Sequence, residues 1–234
     1  WLLGQRTNHR IFQHLGIPDI VDELLSEWGV EPDWRIDRGK YKKLEYKVQY
    51  GESDFDFIAR LLEEAGIAYA WATDDAGDTI VFSDKVGTRP MLEHADPITF
   101  EDVALLHHAR EWVGDLSIGH EVRPGKHTLQ DFDFRNPNYT KRSPSAEAPG
   151  EEKLEIFEYT PGSFLIVEEG APETPAADAL LRARYADAHG RTRTTVSLEA
   201  ERTGRRVVRF ETNVRSLRDR KSTRLNSSHA TLPR

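Results

Sequence analysis

The sequence predicts an α+β fold, with antiparallel, barrel-like sheets and about three amphipathic helices packed on or between them. Two observations carry this reading. Short runs with two-residue alternation, at residues 44–50 and 127–134, lie between turn signals. Other stretches repeat apolar residues at i, i+3, i+4 and i+7, the spacing of one helix face. A length of 234 residues allows one large or two small domains with a buried core.

In chain order, the first helix is expected over residues 18–28. Pro18 suits its first turn, Ile20, Val21, Leu24, Leu25 and Trp28 make an apolar stripe, and Gly29 ends it. Residues 31–43 read as turn-rich surface. In residues 44–50, Leu44, Tyr46, Val48 and Tyr50 alternate with Glu45, Lys47 and Gln49, the pattern of a half-buried strand, and Gly51 breaks the run. Ser53 is a helix N-cap with Asp56 three residues on, and Asp54 and Asp56 set negative charge at the positive end of the helix dipole. Ile58, Leu61, Leu62 and Ala65 form the stripe, widened by Phe55 and Phe57, and Gly66 stops the helix. Residues 67–71 resume in extended form, with 79–82 as the hairpin partner across residues 74–78.

The second half is read from shorter signals. Residues 84–96 form a polar loop, and residues 98–112 fit no single template. A strand at 116–122 turns at Arg123, Pro124, Gly125 and Lys126 into a strand at 127–134. There Leu129, Asp131 and Asp133 alternate with Thr128, Gln130, Phe132 and Phe134, and the aromatic face is expected inward. Residues 138–153, rich in Ser, Pro, Ala and Glu, read as a flexible loop, and 154–159 as a strand. Thr174 caps a third helix with Pro175 in its first turn. Ala177, Leu180, Leu181, Arg184, Tyr185 and Ala188 are its stripe and Gly190 its end. Residues 192–200 alternate as a strand, with 205–212 as partner across Thr203 and Gly204. The domains expected are 1–112, a helix and hairpin part, and 113–218, a second barrel-like part.

The chain has 31% charged residues, 38% hydrophobic residues, and no apolar run long enough to span a membrane as a helix. It has no Cys, which excludes disulfides and thiolate metal sites. It starts at Trp1 without Met and without a signal-peptide pattern, as expected of a chain that begins inside a longer protein. Its last residues include DRKSTRLNSSH, which matches one reading frame of a sequencing-library adapter, and residues 219–234 are expected to be a non-native tail. Without the four basic residues and one acidic residue of that tail, the net charge moves from −8 to −11. Such a balance disfavours non-specific binding to nucleic acid and to anionic membranes.

Candidate chemistry is sparse. His107 and His108 are adjacent, so they point to opposite faces of a strand or about 100° apart on a helix, and they read as ordinary polar positions rather than a metal or acid/base pair. His9, His14, His94, His120, His127 and His189 show no metal-ligand spacing. Asp131 and Asp133 share a strand face and could pair for acid/base work, but no nucleophile or base accompanies them, and a solvated face is the expectation. No phosphate-binding glycine loop, nucleophile elbow, internal repeat or heptad run is present. No residue is assigned a catalytic, cofactor-binding or metal-binding role.

The string VQYGESDFDFIARLLEEAGIAY, with Gln49, Tyr50, Glu52, Ser53, Asp54, Phe55, Phe57, Arg60, Leu61, Glu63, Glu64, Gly66 and Ile67, closely resembles the VgrG spike proteins of type VI secretion systems, in their phage tail-hub-like region. RIFQHLGIPDIVDELLSEWGV before it and VRPGKHTLQDFDFRNPN after it resemble the same family in the right order, as does the turn of Tyr159, Pro161 and Gly162. The resemblance implies a phage tail-hub-like fold and a structural role without cofactors. It implies a homotrimeric hub that docks on the Hcp tube and carries effectors or adaptors through C-terminal parts outside this sequence. It further implies two similar barrels per subunit, giving a pseudo-six-fold ring that matches a hexameric tube. Such a protein is expected in the bacterial cytoplasm before firing, then outside the cell or in the target. Two alternatives stand beside it: the hub of a contractile phage tail or extracellular injection particle, and an envelope-degrading hydrolase domain.

Overall fold

The computed structural model describes residues 1–74, 77–85, 98–101, 111–133, 137, 141–163, 165–166, 187–214 and 225–227. The fold is α+β. Among the described residues its sheets have two to four strands, and none closes into the expected barrel. The chain divides into two compact units interleaved in sequence, residues 1–84 with 123–202 and residues 85–122 with 203–234, whereas the sequence reading divides it after Trp112.

In the first unit, β1 (Thr7–Gln13) precedes helix α1 (Ile17–Ser26). Pro18 stands in the first turn of α1, and the stripe Ile20, Val21, Leu24 and Leu25 is buried, as its spacing demands. Strand β3 (Tyr46–Ser53) pairs antiparallel with β1. Gly51 does not end this strand. It takes φ 63°, and the register slips where Asn8 faces Glu52 but His9 faces Tyr50, so Gly51 is the extra residue of a bulge. Helix α2 (Asp54–Ala65) follows at once, with Ser53 Oγ accepting from the Asp56 amide at 3.1 Å and Gly66 stopping it in the left-handed conformation. The hairpin of β4 (Ala68–Asp74) and β5 (Gly77–Ser83) forms as expected.

Residues 31–43 are more than surface. They contain β2 (Asp33–Arg35), parallel to β5, which brings Trp34 onto Phe82 with ring centroids 4.3 Å apart. The stripes of α1 and α2 close over this hairpin, with Phe12, Phe57, Leu61 and Phe82 at the centre of one core.

The same unit holds a three-stranded sheet ordered β10 (Glu155–Tyr159), β8 (Lys126–Asp131), β9 (Lys141–Pro144). The expected loop at 138–153 therefore contains a strand, paired to β8 from Thr128 with Pro144 to Asp131 with Lys141. On β8 and its continuation the expected inward face does not hold: the start of the strand is buried on both faces, Thr128 with Leu129, and beyond it burial falls on the other face. Leu129, Asp131 and Asp133 are buried while Phe132 is 50% exposed. Helix α3 (Asp187–Arg202) packs on β8 and β9.

Two expectations fail at α3. Gly190 lies inside the helix, not at its end, and residues 192–200 are helical, not a strand. The β-branched residues that suggested alternation bond back along the helix instead: Thr192 Oγ1 donates to the Ala188 carbonyl at 3.0 Å, and Thr194 Oγ1 to the Arg191 carbonyl at 3.0 Å. Gly190, Thr194 and Leu198, four apart, form its buried line. The expected start of this helix at Thr174 lies outside the described residues.

The second unit has one sheet, ordered β11 (Arg206–Thr212), β7 (Trp112–His120), β6 (Ile98–Phe100), β12 (Leu225–Ser227). The partner of β11 is thus β7, far back in the sequence, and not residues 192–200. Among the described residues of this unit, Ile98, Val113 and Val214 form a buried cluster with Phe100 packed against it.

Candidate functional site

The best-built polar feature of the first unit is a node at the start of α2. Ser53 caps the helix, which fixes Asp54 in its first turn with no exposed side-chain surface. One Asp54 oxygen accepts from Arg6 Nε at 2.7 Å and from Trp28 Nε1 at 3.0 Å, and the other from Gln49 Nε2 at 2.9 Å. Burial works against the carboxylate, but these donors outweigh it and hold its pKa below the ordinary aspartate value. Both oxygens accept from fixed donors, so the node ties the chain start, the end of α1, β3 and α2 together as a structural tie.

A second group lines the far end of α2. Lys47 Nζ lies 2.6 Å from Glu64 Oε1, and Arg193 lies 3.3 Å from the same oxygen. Burial opposes the charged form of Glu64, yet Lys47 and Arg193 together lower its pKa. Burial lowers that of Lys47. Burial and the Arg193 charge pull His189 down to about 4, so it is neutral near pH 7. Glu64, His189 and Arg193 border a cavity of 300 Å³ with Lys40, Tyr41 and Asp84. A larger cavity of 410 Å³ lies between α1, α2 and the β4–β5 hairpin, and every side chain lining it is aliphatic or aromatic, including Leu25, Ile58, Leu62, Trp71 and Phe82.

The residues weighed as candidate chemistry do not converge. His107 and His108 lie outside the described residues. Asp131 and Asp133 do share a face, but it is buried, not solvated: each is 3% exposed. Asp131 Oδ1 accepts from the amides of Phe132 and Gly162, both at 2.7 Å, and so pins the Tyr159–Pro161–Gly162 turn to β8. Among the described residues no group of three or more His, Asp or Glu side chains is arranged to hold a metal ion.

Several large apolar side chains are also exposed. On the β1–β3 ribbon the polar face, Lys47 and Gln49, turns inward, and Ile11, Tyr46 and Tyr50 face out at 68%, 48% and 79% exposure. The alternation of residues 44–50 gave the period without the direction. Gln49 goes inward because Asp54 is its partner. Trp71 on β4 and Phe157 on β10 are also exposed, at 63% and 51%. Aromatic side chains displayed on strand faces suit protein contacts.

A Pseudomonas aeruginosa type VI secretion system spike protein, VgrG4b, is 35% identical over 173 residues, 72% of this chain and 21% of its own. Another from the same organism, VgrG5, is 31% identical over 192 residues, 80% of this chain and 24% of its own. An Escherichia coli component of the type VI secretion system, described as structurally similar to T4 bacteriophage tail proteins, matches 52% of this chain and 32% of its own at 27% identity with a TM-score of 0.39. The chain spans about a quarter of the length of the curated relatives it matches. The relatives bear out the resemblance read from residues 48–69. The model of the phage tail baseplate hub (GPD) matches residues 1–231, and the chain belongs to that family.

Proposed function

We propose that this chain is the hub segment of a type VI secretion spike, which assembles as a homotrimer, docks on the Hcp tube and takes part in contractile delivery of effectors. Its role is structural rather than catalytic. The observation that carries the reading is the hub-family match over residues 1–231, joined to relatives whose names are spike proteins of that system. The geometry supports it: two of the buried acids, Asp54 and Asp131, are engaged by fixed donors, while aromatic side chains face solvent. Effectors or adaptors would be reached through parts of the relatives beyond this segment. The protein would act first in the bacterial cytoplasm and then outside the cell.

The test is light scattering on this chain extended to the length of its relatives, alone and with purified Hcp. A stable trimer that co-sediments with Hcp tubes is the expected result. A strictly monomeric species at micromolar concentration overturns the reading. The family description also favours a second reading, the hub of a contractile phage tail. A trimer that binds a phage tail tube protein and ignores Hcp would select it.

A further inference from the structure

We propose that copies of this chain associate by strand addition, with β11 of one copy pairing to β10 of the next. The inference rests on the self-association of the hub reading and names the surfaces that carry it.

Both strands are edges. In the orders β11-β7-β6-β12 and β10-β8-β9 each is terminal, and among the described residues no strand lies on its outer side. An unpaired strand edge presents a row of amides and carbonyls that another strand can complete. The ribbon of β7 and β11 also needs cover. Ile118 and Val208, directly paired, are 39% and 42% exposed, and residues 115–120 and 206–211 are exposed or half-buried throughout. Two strands with both faces in water are marginal by themselves.

The sequences of the two edges match position by position. β11 opens Arg206-Val207-Val208-Arg209, and β10 opens Glu155-Ile156-Phe157-Glu158. Set side by side in parallel, Arg206 meets Glu155, Arg209 meets Glu158, Val208 meets Phe157, and Phe210 beyond the block meets Tyr159. Each four-residue block is symmetric, so the antiparallel arrangement also sets both arginines on glutamates, with Val207 opposite Phe157. Either way one ion pair lies on each face of the new sheet, and an apolar pair sits between them. The irregular step in β11 comes after Arg209, so the whole block is regular strand.

The charges are available for this. Among the described residues Arg206 and Arg209 make no ion pair. Glu158 is 57% exposed and lies 3.6 Å from His127 Nε2. Glu155 accepts from Thr128 Oγ1 at 2.6 Å and lies 3.6 Å from Arg142, which leaves its second oxygen for a partner. In a protein with a formal charge of −8, an arginine-rich edge finds its complement on another copy. The two edges are different surfaces, so the contact is head-to-tail and closes into a ring when the rotation fits, as a trimer requires.

The chain has no cysteine, which makes the test clean. A Phe157→Cys chain is mixed with a Val208→Cys or a Val207→Cys chain and treated with a short bismaleimide. The expected result is a mixed cross-linked species with one of the two, Val208 for the parallel and Val207 for the antiparallel arrangement, and none with a Thr79→Cys control. As a second measurement, Arg209→Glu is expected to weaken self-association about fivefold. Combining it with charge reversal of its partner, Glu158→Arg in the parallel or Glu155→Arg in the antiparallel arrangement, restores it to within about twofold. A chain that self-associates without the cross-link and without this rescue overturns the strand pairing and leaves the hub reading standing. A chain that stays monomeric up to about 1 mM, where contacts weaker than about −4 kcal/mol vanish, overturns the pairing as well. The hub reading is then decided by the extended chain and Hcp.

Discussion

The two units hold their strands by different means. In the first, two amphipathic helices close over a hairpin, and Phe57, Leu61 and Phe82 have no exposed surface. Ionic groups at both ends of α2 fasten that core: Asp54 at the start, Glu64 with Lys47 and Arg193 at the end. In the second, among the described residues, one sheet packs on Ile98, Val113 and Val214 with Phe100 beside them, and the outer half of the β7–β11 ribbon is exposed or half-buried. The described core of the first unit is large and continuous; that of the second is small, and its described edge strand is the one the strand-addition proposal uses.

Paired truncations break this contrast most directly. Phe57→Ala should cost about 3–5 kcal/mol in the first unit, the usual loss for a large aromatic in a tight core. Val113→Ala, fully buried in the second, should cost about 1.6 kcal/mol, two methylene groups at about 0.8 each. Urea unfolding with hydrogen exchange on the amides of α2 and β7 separates the two. Equal losses would show that the units do not differ in the way their cores suggest.

The Asp54 node should come next. Asp54→Ala leaves Arg6, Trp28 Nε1 and Gln49 without their acceptor and should cost about 3 kcal/mol, since an uncompensated partner in a buried pair is expensive. The sign of its pH dependence follows from its lowered pKa. The stability it adds is fully present above the unfolded value of about 3.9 and is lost as pH falls through the lower folded value. The variant should therefore unfold in acid with a shallower slope below pH 4 than the parent. Identical slopes would remove the node as a cause.

His189 acts in a higher window. With its folded pKa at about 4 and Arg193 and Lys47 facing it across Glu64, protonation is easier in the unfolded chain. It has no effect on stability above about pH 6.5, and between there and pH 4 the fold loses up to about 3 kcal/mol. His189→Gln should flatten thermal stability across that window. If the melting curve of the variant tracks the parent from pH 7 to pH 4, another group sets the dependence.

These effects also show which parts of the molecule the sequence could reveal. The helices α1 and α2 were legible because their signals are local: Pro18, Ser53, the stripes and Gly66 all act within one or two turns. Alternation gave β3 its period but not its direction, because direction depends on Gln49 meeting Asp54 and on Lys47 meeting Glu64. Short strands such as β2 and β9 carry no pattern of their own and exist through partners far along the chain. The course of α3 past Gly190 was misread because threonines that alternate also fit a helix when their hydroxyls bond back to carbonyls; the spacing of Gly190, Thr194 and Leu198 was the signal that could have shown it. The match between β10 and β11 becomes visible only once both are known to be edges. Arg-Val-Val-Arg and Glu-Ile-Phe-Glu are unremarkable in a chain with 31% charged residues.

The smallest effect sharpens the contrast at the level of a single cap. Ser53 Oγ accepts from the Asp56 amide at 3.1 Å and donates to the Asp56 carboxylate at 2.6 Å, so it satisfies one free amide of the first turn and orients an acid toward the helix dipole. Ser53→Ala removes both contacts and should cost about 1 kcal/mol. Asp54 keeps its three side-chain donors, so exchange should rise at the first turn of α2 while its last turn, held by Glu64, stays protected. Loss of protection along the whole helix would mean that cap and node form one cooperative unit, and that the first unit is fastened at one end of α2 rather than at both.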